Sequence, residues 1–215
     1  MPRPVKRTFR EAGQTLTLLD HGTHHELLLG RVPLLSSALL GTERDFGRLA
    51  RRLATGPAPR ILVGGLGFGS TLAGVLEVAP RTAAVLVVEK LATIVRLLRG
   101  ELAHLAPGVL ADPRVTLVRA DVQRVLGRER ELDLVLLDVD NGPEWASFTT
   151  NARLYDAAGL GVARAALRRG GSLAVWSGYP ADAFLPRLRA AGFAPASIPL
   201  RERGRVQARA YVGTK

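Results

Sequence analysis

The spacing of hydrophobic positions changes near residue 60, and the change divides the chain. Before that point the apolar residues alternate. Residues 14–20 place Leu16 and Leu18 on one face, which predicts a strand with one buried side. His21-Gly22-Thr23 follows as a turn, and residues 26–29 and 32–35 predict two further extended pieces. Residues 42–53 predict a helix, with Thr42 or Asp45 available as its cap. Thr55-Gly56-Pro57-Ala58-Pro59 then halts any helix. From residue 60 short, wholly apolar runs alternate with helical patterns. Strands are predicted at 61–64, 84–88, 115–118, 132–137 and 172–176, and helices at 70–78, 91–105, 122–126, 151–168 and 182–191. Apolar strands separated by helices predict a parallel sheet covered on both faces. Residues 194–200 and 206–212 are strand-like with only a short polar link between them, so the chain ends in an antiparallel hairpin. The expected fold is α/β and Rossmann-like. It comprises a seven-stranded, mostly parallel sheet with a C-terminal antiparallel hairpin and a small N-terminal β appendage. The expected division is a 1–55 appendage with its lead-in helix and a 56–215 Rossmann-like domain.

Candidate chemistry collects where the predicted strands end, the place at which open α/β sheets bind ligands. Gly64-Gly65-Leu66-Gly67-Phe68-Gly69-Ser70 follows the first apolar strand. Such a loop lets backbone approach a ligand and opens onto a helix N-terminus; the plainer reading is a tight strand-to-helix turn. Glu89 ends the second strand and could accept from two ribose hydroxyls, or could pair with Lys90 at the surface. Asp121 follows the third strand, with Val122 beside it. It could accept from an adenine amino group or cap the helix at 122–126. Asp138, Asp140 and Asn141 crowd the turn after the fourth strand, closed by Gly142-Pro143. Carboxylates so close imply a cation or polar ligand, although Asp and Asn also favour turns for their own sake. Trp145, Tyr155, Trp176 and Tyr179 follow later strand ends and could wall an acceptor or simply pack. Nicotinamide-binding domains use a related glycine fingerprint, but here Ser70 stands where that pattern wants glycine.

Composition narrows the function classes. The chain has no cysteine, which excludes disulfides, thiolate metal sites and cysteine nucleophiles and fits a reducing compartment. No apolar run is long enough to span a bilayer, and the basic start is not followed by a signal-type segment. The expected setting is the cytoplasm. Net charge is +11, and 27 of the 30 basic residues are arginine. That charge raises a nucleic-acid-binding protein or RNA methyltransferase as the alternative function. The arginines are spread along the chain, however, and aromatics are only 5%, so nucleic acid is not the favoured partner. His21, His24, His25 and Glu26 could ligate a metal, but their spacing fits no known helix or finger motif, and no metal is expected.

In order and type, Gly64 to Gly69, Val88-Glu89, Asp112-Pro113-Arg114-Val115, Asp121 and Leu137 to Pro143 resemble the spermidine and spermine synthases. Arg153-Leu154-Tyr155 and Arg169-Gly170-Gly171 continue the resemblance, which is greatest to short bacterial members of that family. It implies the class I S-adenosylmethionine-methyltransferase form of the Rossmann-like fold, with 56–215 as the catalytic domain, a transferase with S-adenosylmethionine or decarboxylated S-adenosylmethionine as donor, a small amine acceptor such as a polyamine, and a homodimer. It implies that Gly65, Gly67 and Gly69 line the donor, Glu89 takes its ribose and Asp121 its adenine. It also implies that Asp138 draws a proton from the attacking amine, with Asp140 and Asn141 orienting the acceptor. The chain departs from the family in three places. Gly67 stands where polyamine synthases carry an acid, and Asn141 replaces their second amine-binding acid. Their N-terminal Tyr-His-Glu element has no counterpart in residues 41–46. The acceptor pocket is therefore expected to be short of carboxylates.

Overall fold

The computed structural model of this chain describes residues 4–11, 13–38, 40–139, 142–144 and 151–215. Four antiparallel strands open it: β1 (Val5–Glu11), β2 (Gln14–Asp20), β3 (His25–Leu29) and β4 (Val32–Ser36). Two helices, α1 (Gly41–Arg48) and α2 (Ala50–Leu53), lead into β5 (Arg60–Gly64), α3 (Ser70–Val78), β6 (Ala84–Glu89) and α4 (Ala92–Arg99). Then come β7 (Val115–Arg119), α5 (Val122–Leu126), β8 (Leu132–Leu137), α6 (Ala157–Ala166) and β9 (Leu167–Ser177). The chain finishes with α7 (Phe184–Ala190), β10 (Ala194–Glu202) and β11 (Arg205–Thr214). The second sheet has seven strands in the order β10-β11-β9-β8-β5-β6-β7. β7, β6, β5, β8 and β9 run parallel, while β11 and β10 are antiparallel, as the terminal hairpin requires. Strand order reverses between β5 and β8, so their carboxyl ends diverge into a crevice.

The core lies on both faces of this sheet. Ile61, Val63, Val85 and Val87 face α1, α3 and α4 together with Leu16, Leu18 and Leu27 of the N-terminal sheet. Leu62, Val88, Val135 and Leu137 face α5, α6 and α7. Asp133 interrupts the otherwise apolar β8 because it is partnered. It accepts from Arg60 N at 2.7 Å and from the Arg168 guanidinium, which ties the starts of β5 and β9 to β8.

Four elements differ from the sequence expectation. The helix expected over 91–105 ends at Arg99, with Gly100 after it and a separate 3-10 turn at Ala103–Leu105. β1 was hidden because its exposed edge carries Lys6, Arg7 and Arg10 instead of an apolar face. Yet it anchors the small sheet. Glu11 accepts from Ala92 N at 2.6 Å and Thr93 N at 2.9 Å, at the start of α4. Burial opposes ionisation there, but these backbone hydrogen bonds outweigh it and hold the carboxyl below its ordinary range. The helix expected over residues 151–168 is a 3-10 turn, then α6 capped by Asp156, then strand from Leu167, because Leu167 pairs with Leu132 of β8. The helix expected over 42–53 is two pieces that meet at Leu49, and no side chain caps α1.

α1 and α3 cross where each presents a glycine. A Cβ on Gly47 would stand 2.1 Å from Thr71 O, and one on Gly74 would stand 2.0 Å from Arg44 O. Substituting Gly74 with alanine sets a helix-propensity gain of about 1 kcal/mol against a steric clash with backbone, and the clash wins. Gly74→Ala should lose about 2 kcal/mol, lowering the melting temperature by roughly 4–8 °C. Gly161→Ala in α6, where a Cβ would meet nothing within 4 Å, should instead gain up to about 1 kcal/mol. Thermal melts of the two variants side by side check both signs.

Candidate active site

The crevice is built from the strand ends outward. Gly65 has φ +87°, and a Cβ there would stand 2.1 Å from Asp138 O, so only glycine lets this loop lie against the end of β8. Gly65 N donates to Val88 O at 2.9 Å, and Asp138 N donates to Gly64 O at 2.8 Å, which joins β5 to both neighbours at the point of divergence. The resulting cleft is lined by Gly65, Gly67, Glu89, Asp121, Val122 and Asp138 among others, with Leu34, Leu35, Ile94 and Val139 as apolar walls. Gly64 and Gly69 sit behind it. Gly64 is covered by Val122 and Leu137, and Gly69 turns the chain into α3 against Ala106.

Glu89 is not the surface partner of Lys90. It is buried, and its two oxygens accept from Leu66 N at 2.9 Å and Leu91 N at 2.7 Å. Burial pushes its pKa up, against the backbone N–H groups around it. The backbone N–H groups of Lys90 and Gly67 also act on this carboxylate, which lines the cleft. Asp121 does cap α5, accepting from Gln123 N at 2.9 Å, while its other oxygen lies 3.5 Å from Lys90 Nζ. The cap fixes the carboxyl at the mouth of the cleft, so capping and ligand contact are compatible.

A second pocket adjoins the first and shares Leu34, Leu35, Gly67 and Asp138 with it. Its other lining residues include Glu43 from α1, Glu202 from the terminal hairpin, Trp176 and Gln207. Among the described residues, three carboxylates and no Lys, Arg or His line it. Burial pushes Asp138 up to about 6, opposed by a hydrogen bond from Thr71 Oγ1. Burial, reinforced by the charge of Asp138, raises Glu43 to about 7. Glu202 packs its carboxyl over Gly41 at the start of α1, where the helix dipole favours negative charge. Glu202 Oε2 and Trp176 Nε1 are buried without a hydrogen-bond partner among the described residues.

The sequence-predicted residues therefore separate. Glu89, Asp121, Val122, Asp138, Gly65 and Gly67 come together in one cleft. Asp140, Asn141 and Trp145 lie outside the described residues. Tyr155 is core, edge-on to Phe184, and Tyr179 is more than half exposed, so of the described aromatics suggested as acceptor walls only Trp176 lines the second pocket. Glu43 and Glu202 were missed. Glu43 resembles any acid in a helix's first turn, Glu202 lies between Arg201 and Arg203, and only the fold brings them together.

The charge state of Glu43 can be read through stability. Unfolded, its carboxyl ionises near 4.5; folded, it keeps its proton to about 7. The folded state thus binds more protons between those values, and the protein loses stability as pH rises through them. Glu43→Gln should match the wild type near pH 4. It should be more stable at pH 8 by about 2 kcal/mol, a figure reduced from the full shift for the pocket's open side. Urea unfolding at both pH values checks this, and equal differences at the two would contradict it.

No protein-family model and no curated protein matches the sequence. Solved structures do. A spermidine synthase in complex with the transition-state analogue AdoDATO has a TM-score of 0.76 at 16% identity, covering 99% of this chain and 72% of that one. The spermidine synthase of Thermotoga maritima has a TM-score of 0.77 at 16% identity, with the same coverage. A probable spermidine synthase from Corynebacterium glutamicum ATCC 13032 has a TM-score of 0.65 at 18% identity, covering 98% of this chain and 80% of that one. At these identities the likeness is one of fold: the chain is built on the α/β architecture of the spermidine synthases.

Proposed function

We propose that the protein is a transferase that binds decarboxylated S-adenosylmethionine in the cleft and passes its aminopropyl group to a small cationic amine held in the second pocket. The observation that carries this reading is that Asp138 lines both pockets. It stands where a donor's electrophilic carbon and an acceptor's nitrogen would have to meet. Similarity of fold to spermidine synthases supports the same reaction class.

When bound, the donor's sulfonium makes the adjacent carbon electrophilic. Glu89 offers its carboxylate to the ribose hydroxyls, and Asp121 and Val122 offer a carboxylate and an apolar face to the adenine. Gly67 leaves the cleft open beside Leu35. Asp138 takes the proton that the acceptor nitrogen must lose, since an ammonium has no lone pair with which to attack. A carboxylate raised to about 6 is better matched to that task than an ordinary aspartate. As the new N–C bond forms, the C–S bond breaks and its electrons neutralise the sulfur, so the products are a thioether nucleoside and an alkylated amine. Glu43 and Glu202 hold the acceptor's positive charge, and Oε2 of Glu202, which has no hydrogen-bond partner among the described residues, gives it a directional acceptor.

The same acids select the donor. A carboxylated donor would carry its carboxylate toward Asp138, Glu43 and Glu202 with no lining cation of the second pocket to meet it. Loss of that carboxylate removes the repulsion. An acidic acceptor pocket within a chain of net charge +11 also argues against a phosphate-bearing acceptor such as RNA. Many of the arginines serve the fold: Arg114 is held by Asp112 and two backbone carbonyls, and Arg44 and Arg48 by Glu77.

Calorimetric titration tests the donor. Decarboxylated S-adenosylmethionine and methylthioadenosine should bind, and S-adenosylmethionine should bind about tenfold or more weakly, a difference of about 1.4 kcal/mol. Preference for the carboxylated donor would overturn aminopropyl transfer in favour of methyl transfer. Binding of none of the three would overturn the donor cleft itself.

A further inference from the structure

All four histidines of the chain gather in one place. His21, His24 and His25 lie on and beside the turn between β2 and β3, and His104 arrives from the 3-10 turn at Ala103–Leu105, its ring 5.7 Å from that of His25. Neither the donor cleft nor the acid pocket uses any of them. The turn that presents them is fixed by its backbone. His21 N donates to His24 O at 3.0 Å, and Asp20 Oδ1 accepts from Gly22 N at 2.7 Å.

Within this patch three side chains converge. The rings of His21 and His24 stack at 4.4 Å, and the two carboxylate oxygens of Glu26 face them separately. Oε2 is 3.2 Å from His21 Nε2, and Oε1 is 3.9 Å from His24 Nε2. One ligand atom from each of the three lies within 4.8 Å of the others. We propose that His21, His24 and Glu26 form a binding site for a divalent transition-metal ion, with zinc the best match.

Two imidazoles and a carboxylate make a borderline donor set of the kind zinc accepts with a fourth position left open. Ligands around one tetrahedral zinc stand about 3.4 Å apart, given metal–ligand distances near 2.1 Å. The His21–Glu26 edge is already near that spacing, and the other edges need only side-chain rotation on an exposed turn. His24 Nδ1 lies 3.1 Å from Thr23 Oγ1. With that nitrogen as the donor, Nε2 keeps its lone pair toward the carboxylate, the arrangement a second-shell partner gives a metal-bound histidine. The missing finger spacing that argued against a metal is no obstacle, because a hairpin turn and the strand after it supply all three ligands. The ion would also brace the acceptor wall. His25 O accepts from Ser37 N at 2.8 Å and His25 N donates to the Ser37 hydroxyl oxygen at 2.8 Å, and Ser36 and Ala38 on either side line the second pocket.

The test is calorimetric titration of zinc chloride into tag-free, chelator-stripped protein, with His24→Ala, Glu26→Gln and His104→Ala measured alongside. The expected result is one zinc per chain, with affinity reduced about tenfold or more in His24→Ala and Glu26→Gln and nearly unchanged in His104→Ala. Zinc should raise the melting temperature of the wild type and not that of His24→Ala. No stoichiometric binding, binding that survives His24→Ala, or a loss in His104→Ala equal to that in His24→Ala would overturn the site, the last by showing only a diffuse imidazole surface. Each variant's circular dichroism establishes that it is folded.

Discussion

The carboxylate of Glu89 holds two loops at once, and the cleft at the strand ends is shaped around it. One oxygen fixes Leu66 N of the glycine loop, and the other fixes Leu91 N at the entry to α4. Burying an acid is costly unless its acceptor positions are filled. Here the backbone fills part of them, and the carboxylate lines the cleft. The glycine loop can approach so closely only because Gly65 has no Cβ to strike Asp138 O. Glu89 and Gly65 thus set the distance between the ends of β5, β6 and β8, and with it the position of Asp138. A neutral isostere at 89 would keep the shape but weaken both backbone hydrogen bonds and any ribose contact.

From that frame the charge distribution follows a division of labour. The chain is strongly basic, yet the pocket beyond Asp138 is lined by three acids from separate elements: β8's end, α1 and the terminal hairpin. Burial raises Asp138, and burial together with the charges of Asp138 and Glu202 raises Glu43. Under the proposed function, an entering ammonium would offset both effects and draw the protons off again.

The cleft at the strand ends was legible in the sequence and the acid pocket beside it was not, for physical reasons. Gly64 to Gly69, Glu89, Asp121 and Asp138 each sit at the end of a short apolar run, so periodicity alone places them on one edge of a parallel sheet. Glu43 and Glu202 depend on α1 packing against α3 through Gly47 and Gly74 and on the hairpin folding back over Gly41. Such contacts leave no periodic trace. The expected shortage of carboxylates came from reading Asn141 and residues 41–46 against a family pattern, while the fold supplies acids from elsewhere. The same limit explains β1, whose partners are a neighbouring strand and a helix start and whose own sequence has no apolar face. Leu167 and Arg168 likewise continue a helical pattern locally but are drawn into β9 by pairing with β8 and by Asp133.

The central claim is that Asp138 joins a nucleoside cleft to an amine pocket and accepts a proton between them. It is tested most directly by incubating the protein with decarboxylated S-adenosylmethionine and 1,4-diaminobutane and following methylthioadenosine release by chromatography. The account predicts release that requires the amine. In Asp138→Asn it predicts a fall of about a hundredfold or more, with donor affinity unchanged. Amine-independent release, or full activity in Asp138→Asn, would contradict it.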